Sequence, residues 1–123
     1  MKRFGFMVLS AALVFGAASA RADGDAEAGK KTFAKCGICH AVEAGKNKIG
    51  PSLFGVVGRK SASIPDFAYS DAMKAANKTW DAATLNEWIT NPKALVPGTK
   101  MIFAGLPSQT DRDNVIAYLS TLK

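Results

Sequence analysis

Cys36-Gly37-Ile38-Cys39-His40 decides how the rest of this chain is read. The spacing is C-x-x-C-H. Each cysteine of such a run can add through sulfur to a vinyl group of haem, and the histidine that follows is placed to ligate the iron. A short helical turn suits the pattern, because residues three and four apart lie on one face and Cys36, Cys39 and His40 can then meet one porphyrin. The chain holds two cysteines and one histidine, and all of them are in this run. Other readings of the cysteine pair explain less. A thiol–disulfide redox motif belongs to a strand–helix unit, and no such unit is apparent. A zinc site takes about four ligands, more than the Cys and His side chains here supply. A structural disulfide suits an oxidising compartment but leaves His40 without a role.

The N-terminus indicates where such a chemistry is used. Lys2 and Arg3 precede a mostly apolar run from Phe4 to Phe15, and the small residues Ala17-Ala18-Ser19-Ala20 follow. Charge, length and exit are those of a secretory signal peptide. The run is too short for a membrane span, which needs about twenty apolar residues. Ala18-Ser19-Ala20 and Ala20-Arg21-Ala22 both fit a cleavage site, and cleavage after Ala22 is preferred. Residues 1–22 are thus expected to leave and residues 23–123 to form one domain. Lys2, Arg3 and Arg21 leave with the signal and no acid does, so the net charge falls from +6 to +3. Export places the protein in the periplasm, where cysteines must be protected or used. Thioether bonds to haem do both.

Beyond the signal, residues 25–35 read as a helix with acids early and lysines late, the sense that the helix dipole favours. Ala26, Gly29 and Phe33 recur near helical spacing. Gly29 inside a helix costs about 1 kcal/mol relative to Ala, so close approach of another backbone is expected there. From 44 to 68 glycine and proline interrupt any regular element. A loop this long is unusual in a compact domain and makes sense if it wraps a large apolar ligand. Leu53, Phe54, Val56, Val57, Phe67 and Tyr69 would then line its pocket. Ser70 caps a short helix over 71–76, and Asp81 caps another over 82–90 that buries Leu85, Trp88 and Ile89 and stops at Asn91 before Pro92. The clearest helix runs over 110–122, with Val115, Tyr118, Leu119 and Leu122 on its core face and Thr110 with Asp113 as a capping box. No period-two segment of useful length occurs. The expected fold is all-α: four to five short helices and long loops around one covalent haem.

A single histidine cannot ligate both faces of the iron, and methionine thioether is a usual partner. Met1 and Met7 leave with the signal. Met73 lies in a short helix, where ordinary packing explains it. Met101 lies in the glycine-flanked loop Pro97-Gly98-Thr99-Lys100-Met101-Ile102-Phe103-Ala104-Gly105, which can bring a side chain to a fixed metal, and is the expected sixth ligand.

Taken with Gly50-Pro51, Gly58-Arg59-Lys60, Trp80 and Asn91-Pro92, these motifs resemble those of class I c-type cytochromes, close to mitochondrial cytochrome c and the bacterial cytochrome c2 group. The resemblance extends from Gly24 to Leu122. It implies a one-electron carrier, not an enzyme, with one haem c bound through Cys36 and Cys39 and axial ligands His40 and Met101. It also implies that the Pro51 carbonyl orients His40, that Arg59, Tyr69, Trp80 and Thr99 hold the haem propionates, that Phe103 shields the haem beside Met101, and that Gly29 and Phe33 cross the last helix near Val115 and Tyr118. Two positions depart from the mitochondrial pattern. Trp88 replaces a tyrosine and Met73 an asparagine, each removing a polar group near the haem. Leu106-Pro107-Ser108-Gln109 replaces a stretch rich in lysine.

The implied partners are membrane redox complexes (a quinol–cytochrome c oxidoreductase, a terminal oxidase or a photosynthetic reaction centre) or periplasmic dehydrogenases. Docking is expected through Lys35, Lys46, Lys48, Lys93 and Lys100, with no nucleic acid involved and the protein a monomer. The rival functions are a haem peroxidase and a thiol–disulfide oxidoreductase without haem. A peroxidase needs an open iron site and a distal acid–base group, usually histidine, and none remains after His40.

Overall fold

A computed structural model describes residues 24–123, and the expected signal segment at 1–22 lies outside them. Six helices occur among the described residues: α1 (Ala26–Thr32), α2 (Ala34–Gly37), α3 (Asp71–Ala76), α4 (Ala82–Thr90), α5 (Pro92–Leu95) and α6 (Gln109–Leu119). The only sheet-like feature among them is an isolated antiparallel bridge between Lys60 and Thr79. The all-α expectation holds. None of these helices is long and apolar enough to cross a membrane.

The expected helix over 25–35 is present as two pieces. Asp25 caps α1, its carboxylate accepting from the Glu27 and Ala28 amides at 2.9 and 3.3 Å. At Phe33 the chain tightens, because the Phe33 carbonyl accepts from both Cys36 and Gly37, at 2.7 and 2.9 Å. This sharing closes α1 and starts the turn α2, which carries Cys36.

The extra helix α5 corrects the reading of Pro92. That proline ends α4, as expected, but it also opens a new turn: Asn91 accepts from the Ala94 amide at 3.4 Å, and Pro92 occupies a first-turn position, where its missing N–H leaves no hydrogen bond unmade. Ser70 and Asp81 cap α3 and α4 as read, accepting from Met73 and Thr84 at 3.0 and 2.8 Å. The cap of α6 is Ser108, whose hydroxyl accepts from the Asp111 amide at 3.2 Å, not Thr110. Both residues have an aspartate three positions on. The earlier one prevails in a chain that enters the helix from a buried Leu106. The helix also ends earlier than expected. The Ser120 and Thr121 hydroxyls donate to the Ile116 and Tyr118 carbonyls, at 2.8 and 2.6 Å, and Leu122 lies beyond it.

The first and last of these helices meet where α1 crosses α6. A Cβ at Gly29 would overlap the Asn114 carbonyl and stand 3.0 Å from Tyr118 Cβ, which accounts for a glycine inside a helix. Phe33 and Tyr118 pack with ring centroids 5.2 Å apart. The buried core continues through Trp80, Leu85, Trp88, Ile89, Val115 and Leu119. Trp88 lies against Trp80 at 5.3 Å, and Met73 is buried in the same cluster. The segment over 44–68 is irregular, as read. Its aliphatic side chains Leu53, Val56 and Val57 turn to the core, and Phe54 is exposed.

Gly29→Ala is expected to lower the denaturant midpoint of the folded protein, because overpacking against a fixed backbone costs about 1–3 kcal/mol. An unchanged midpoint by circular dichroism would mean that the crossing relaxes freely.

The haem-attachment site and its surroundings

Cys36, Cys39 and His40 sit on one turn. The Cys39 and His40 amides both donate to the Cys36 carbonyl at 3.0 Å. Both thiols are free and half-buried. Burial pushes the Cys36 thiol above its usual range, and neighbouring Lys35 opposes that shift.

The next loop fixes the imidazole. His40 Nδ1 lies 2.8 Å from the Pro51 carbonyl oxygen. A carbonyl only accepts, so Nδ1 carries the proton and Nε2 keeps its lone pair. Burial lowers the His40 pKa, and the charges of Arg59 and Lys48 lower it further, against the Pro51 bond. The ring is thus held neutral, the form that binds a metal. A Cβ at Gly50 would fall 2.6 Å from His40 Nδ1 and 2.8 Å from Nε2, so only glycine lets the ring lie this close. The loop is tied back to the turn by Gly50 N–H to the Cys39 carbonyl at 2.8 Å and Leu53 N–H to the Ala41 carbonyl at 2.9 Å. Lys48 adds a third tie, its ammonium donating to the Gly37 carbonyl at 2.7 Å.

Arg59 and Trp80 are brought side by side by backbone pairing. Trp80 N–H donates to the Arg59 carbonyl at 2.9 Å, and Gly58 N–H to the Trp80 carbonyl at 2.8 Å. Arg59 Nη1 donates to the Ser52 and Phe54 carbonyls at 3.0 and 3.2 Å. Its buried Nε has no partner among the described residues, an N–H that an anion such as a carboxylate would satisfy. Burial lowers the Arg59 pKa, and Tyr69 opposes the shift. The Tyr69 hydroxyl accepts from the Ile64 amide at 3.1 Å, which leaves its own proton to donate.

Met101 is held from a different side and shares no hydrogen bond with the His40 cluster. Its amide donates to the Thr99 hydroxyl at 3.2 Å. Met101 and Phe103 are half-buried against the core, as are Cys36, Leu53, Val57 and Tyr69. A depression of about 490 Å³ borders His40 with Phe33, Val42 and Tyr118. It opens on the α1–α6 side and Met101 does not line it.

Sequence reasoning missed Ser52. This residue is buried, takes the Asn47 side chain on its N–H at 3.0 Å, donates its hydroxyl to the Glu43 carbonyl at 2.5 Å and presents its carbonyl to Arg59. Only its place directly after Gly50-Pro51 hinted at a role. Two of the five lysines are also engaged within the chain: Lys48 as above, and Lys46, which lies 3.8 Å from Glu43.

Free thiols on one turn, a neutral histidine with Nε2 open, an unsatisfied arginine N–H and a set of half-buried apolar side chains together fit a haem with acidic substituents. The comparisons agree. The cytochrome c family model matches residues 26–123. Cytochrome c2 of Rhodoblastus acidophilus is 55% identical over 101 residues, covering 81% of this chain and 94% of that protein. Cytochrome c-554 of Methylosinus trichosporium is 51% identical over 123 residues, covering 98% and 93%. Among solved structures, cytochrome cH from Methylobacterium extorquens superimposes with a TM-score of 0.76 at 49% identity, covering 80% of this chain and 99% of that one. The chain therefore belongs to the cytochrome c family of electron carriers and bears one haem c through Cys36 and Cys39.

Proposed function

We propose that this protein is an exported one-electron carrier with His40 and Met101 as the axial ligands of its haem, passing electrons between membrane redox complexes or periplasmic dehydrogenases. The observation that carries the reading is the 2.8 Å contact of His40 Nδ1 with the Pro51 carbonyl, which leaves Nε2 as the free ligating atom beside two free cysteines. The signal-like segment 1–22 supports export to the periplasm, with 23–123 as the working domain.

The haem iron supplies one-electron chemistry, alternating between ferric and ferrous states. His40 and Met101 would hold the iron between them, which would exclude small-molecule ligands and keep the coordination constant. Pro51 fixes the imidazole plane and raises its basicity. Arg59, Tyr69, Trp80 and Thr99 would receive the propionates, charged groups that are costly to bury alone. Arg59 Nε is the donor best placed for this by its lack of any other partner. Phe103 keeps water from the Met101 side. A dry site and methionine ligation both favour the ferrous form and raise the potential.

The docking face is read as a lysine ring with an apolar centre. Lys35, Lys46, Lys48, Lys93 and Lys100 are all exposed. Ile38, Ile49 and Ile102 are 72%, 78% and 97% exposed, and each adjoins the site: Ile38 between the cysteines, Ile49 before Gly50, Ile102 after Met101. Positive charge would steer an acidic partner, and the isoleucines would provide short-range contact around the haem edge. Glu43 offsets part of the Lys46 charge, whereas Lys48 keeps its charge on a neutral carbonyl, so Lys35, Lys48, Lys93 and Lys100 carry most of the steering.

Met101→Ala should abolish the weak far-red absorption of methionine-bound ferric haem and lower the potential, whereas Met73→Leu should preserve both. Loss of the band in Met73→Leu alone would reverse the assignment.

Lys35→Glu and Lys100→Glu should slow the second-order reaction with a purified membrane oxidase more than Lys123→Glu does. The difference should shrink as salt shortens the Debye length, about 10 Å at 0.1 M. Equal slowing in all three variants would remove the ring from the docking face.

A further inference from the structure

Arg112 is a cation on the core face of a helix, 8% exposed, among Val115, Ile116 and Leu119. The one ion pair among the described residues is Lys46–Glu43, so Arg112 is not neutralised by a carboxylate. A buried charge of this kind persists only where its N–H groups are met by good acceptors. Arg112 has four such bonds, all to neutral groups. Its Nη1 donates to the Leu106 carbonyl at 2.6 Å and the Pro107 carbonyl at 3.0 Å. Its Nε donates to Asn86 Oδ1 at 2.9 Å, and Nη2 to Gln109 Oε1 at 2.7 Å. Gln109 in turn donates to Asn86 at 3.0 Å and to Asp113 at 2.7 Å. The fork of a guanidinium is what allows one side chain to reach α4, α6 and the 106–107 backbone together.

The two carbonyls matter because of what precedes them. Leu106 ends the segment that presents Met101. The amides of Ile102, Phe103, Ala104 and Gly105 have no hydrogen bond among the described residues, and Ile102 is almost fully exposed. Residues 100–105 therefore behave mechanically as a strap held at its ends. At the first end, the Thr99 amide donates to the Val96 carbonyl at 3.1 Å, and Gly98 leaves room for Ala72, whose Cβ a side chain there would approach to 3.3 Å. At the second end, Gly105 adopts φ +103° and lies so close over the Thr90 carbonyl that a Cβ would overlap it. Leu106 N–H donates to the Ile89 carbonyl at 2.7 Å. The Leu106 carbonyl is taken by Arg112. Both polar groups of Leu106 are thus fixed, one by α4 and one by α6.

We infer that Arg112 is a positioning residue: it latches the second end of the Met101 strap to α4 and α6, and so sets how often Met101 leaves the iron. The inference rests on the reading of Met101 as a ligand. A ligand that competes for the vacated position binds in proportion to the fraction of open strap. Weakening the latch raises that fraction without altering the iron's other face.

The test titrates the ferric holoprotein with imidazole and follows loss of the far-red band. Amide hydrogen exchange at Leu106, whose N–H donates to the Ile89 carbonyl, is measured in parallel. Arg112→Gln should bind imidazole about tenfold more tightly and exchange the Leu106 amide about tenfold faster, the change that a one-decade shift in the open fraction produces. Arg112→Lys keeps the charge but not the fork and should fall between. Asn86→Ala removes the Nε acceptor while leaving Arg112 in place, and should move both readouts in the same direction by less. It decides the matter if Arg112→Gln does not fold. Asp25→Ala removes the α1 cap, far from the strap. It should lower the melting temperature and leave imidazole affinity unchanged, which separates the latch from general destabilisation. Imidazole affinity within about twofold of the parent in the Arg112 and Asn86 variants, whatever happens to melting, would overturn the latch. Absence of a far-red band in the unsubstituted protein would overturn the Met101 reading, and the inference with it.

Discussion

The hydrogen bond from His40 Nδ1 to the Pro51 carbonyl is the constraint around which this structure is arranged. It sets the tautomer, and so leaves the Nε2 lone pair free. It requires Gly50, because the ring lies where a Cβ would stand. It also requires that the chain leave the haem-attachment turn and return within eleven residues. Three ties along that return make the loop rigid: Gly50 to Cys39, Leu53 to Ala41 and Lys48 to Gly37. Buried and flanked by Arg59 and Lys48, the imidazole is held neutral. Geometry and charge thus favour the same ligating state.

Two arginines occur beyond residue 22, and the way each is buried separates two roles. Arg59 uses Nη1 on the Ser52 and Phe54 carbonyls and leaves its buried Nε unmet. A donor in that condition is costly unless an acceptor arrives, and a carboxylate would be one. Arg112 is surrounded by acceptors from its own chain. It asks for no ligand, and its charge strengthens bonds that hold two helices and a strap in register. A small domain has little core with which to fix a loop. Buried, fully bonded polar groups do part of that work here.

The core and the haem surroundings share residues. Trp80 packs on Trp88 while its backbone pairs with Arg59. Met73 and Trp88 fill the interior beside it. The irregular stretch over 44–68 contributes Leu53, Val56 and Val57 to the same cluster.

Much of this was legible in the residues because the relevant physics is local. The C-x-x-C-H run, the Ser70 and Asp81 caps, the breaks at glycine and proline and the helical period of the last element all act within three or four residues, a range over which order in the sequence is order in space. Gly29 was legible as a close approach, but not its partner. Other features needed the tertiary structure. Phe54 is exposed while Leu53 beside it packs against the core. Ser108 rather than Thr110 caps α6, since two equivalent patterns compete and the buried Leu106 before them decides. Lys48 bonds a carbonyl 11 residues away, and Arg112 a side chain 26 residues away. The identity of a lysine or arginine says that it can donate hydrogen bonds. Which acceptor it finds depends on which segments the packed helices bring together, and that is settled only in three dimensions.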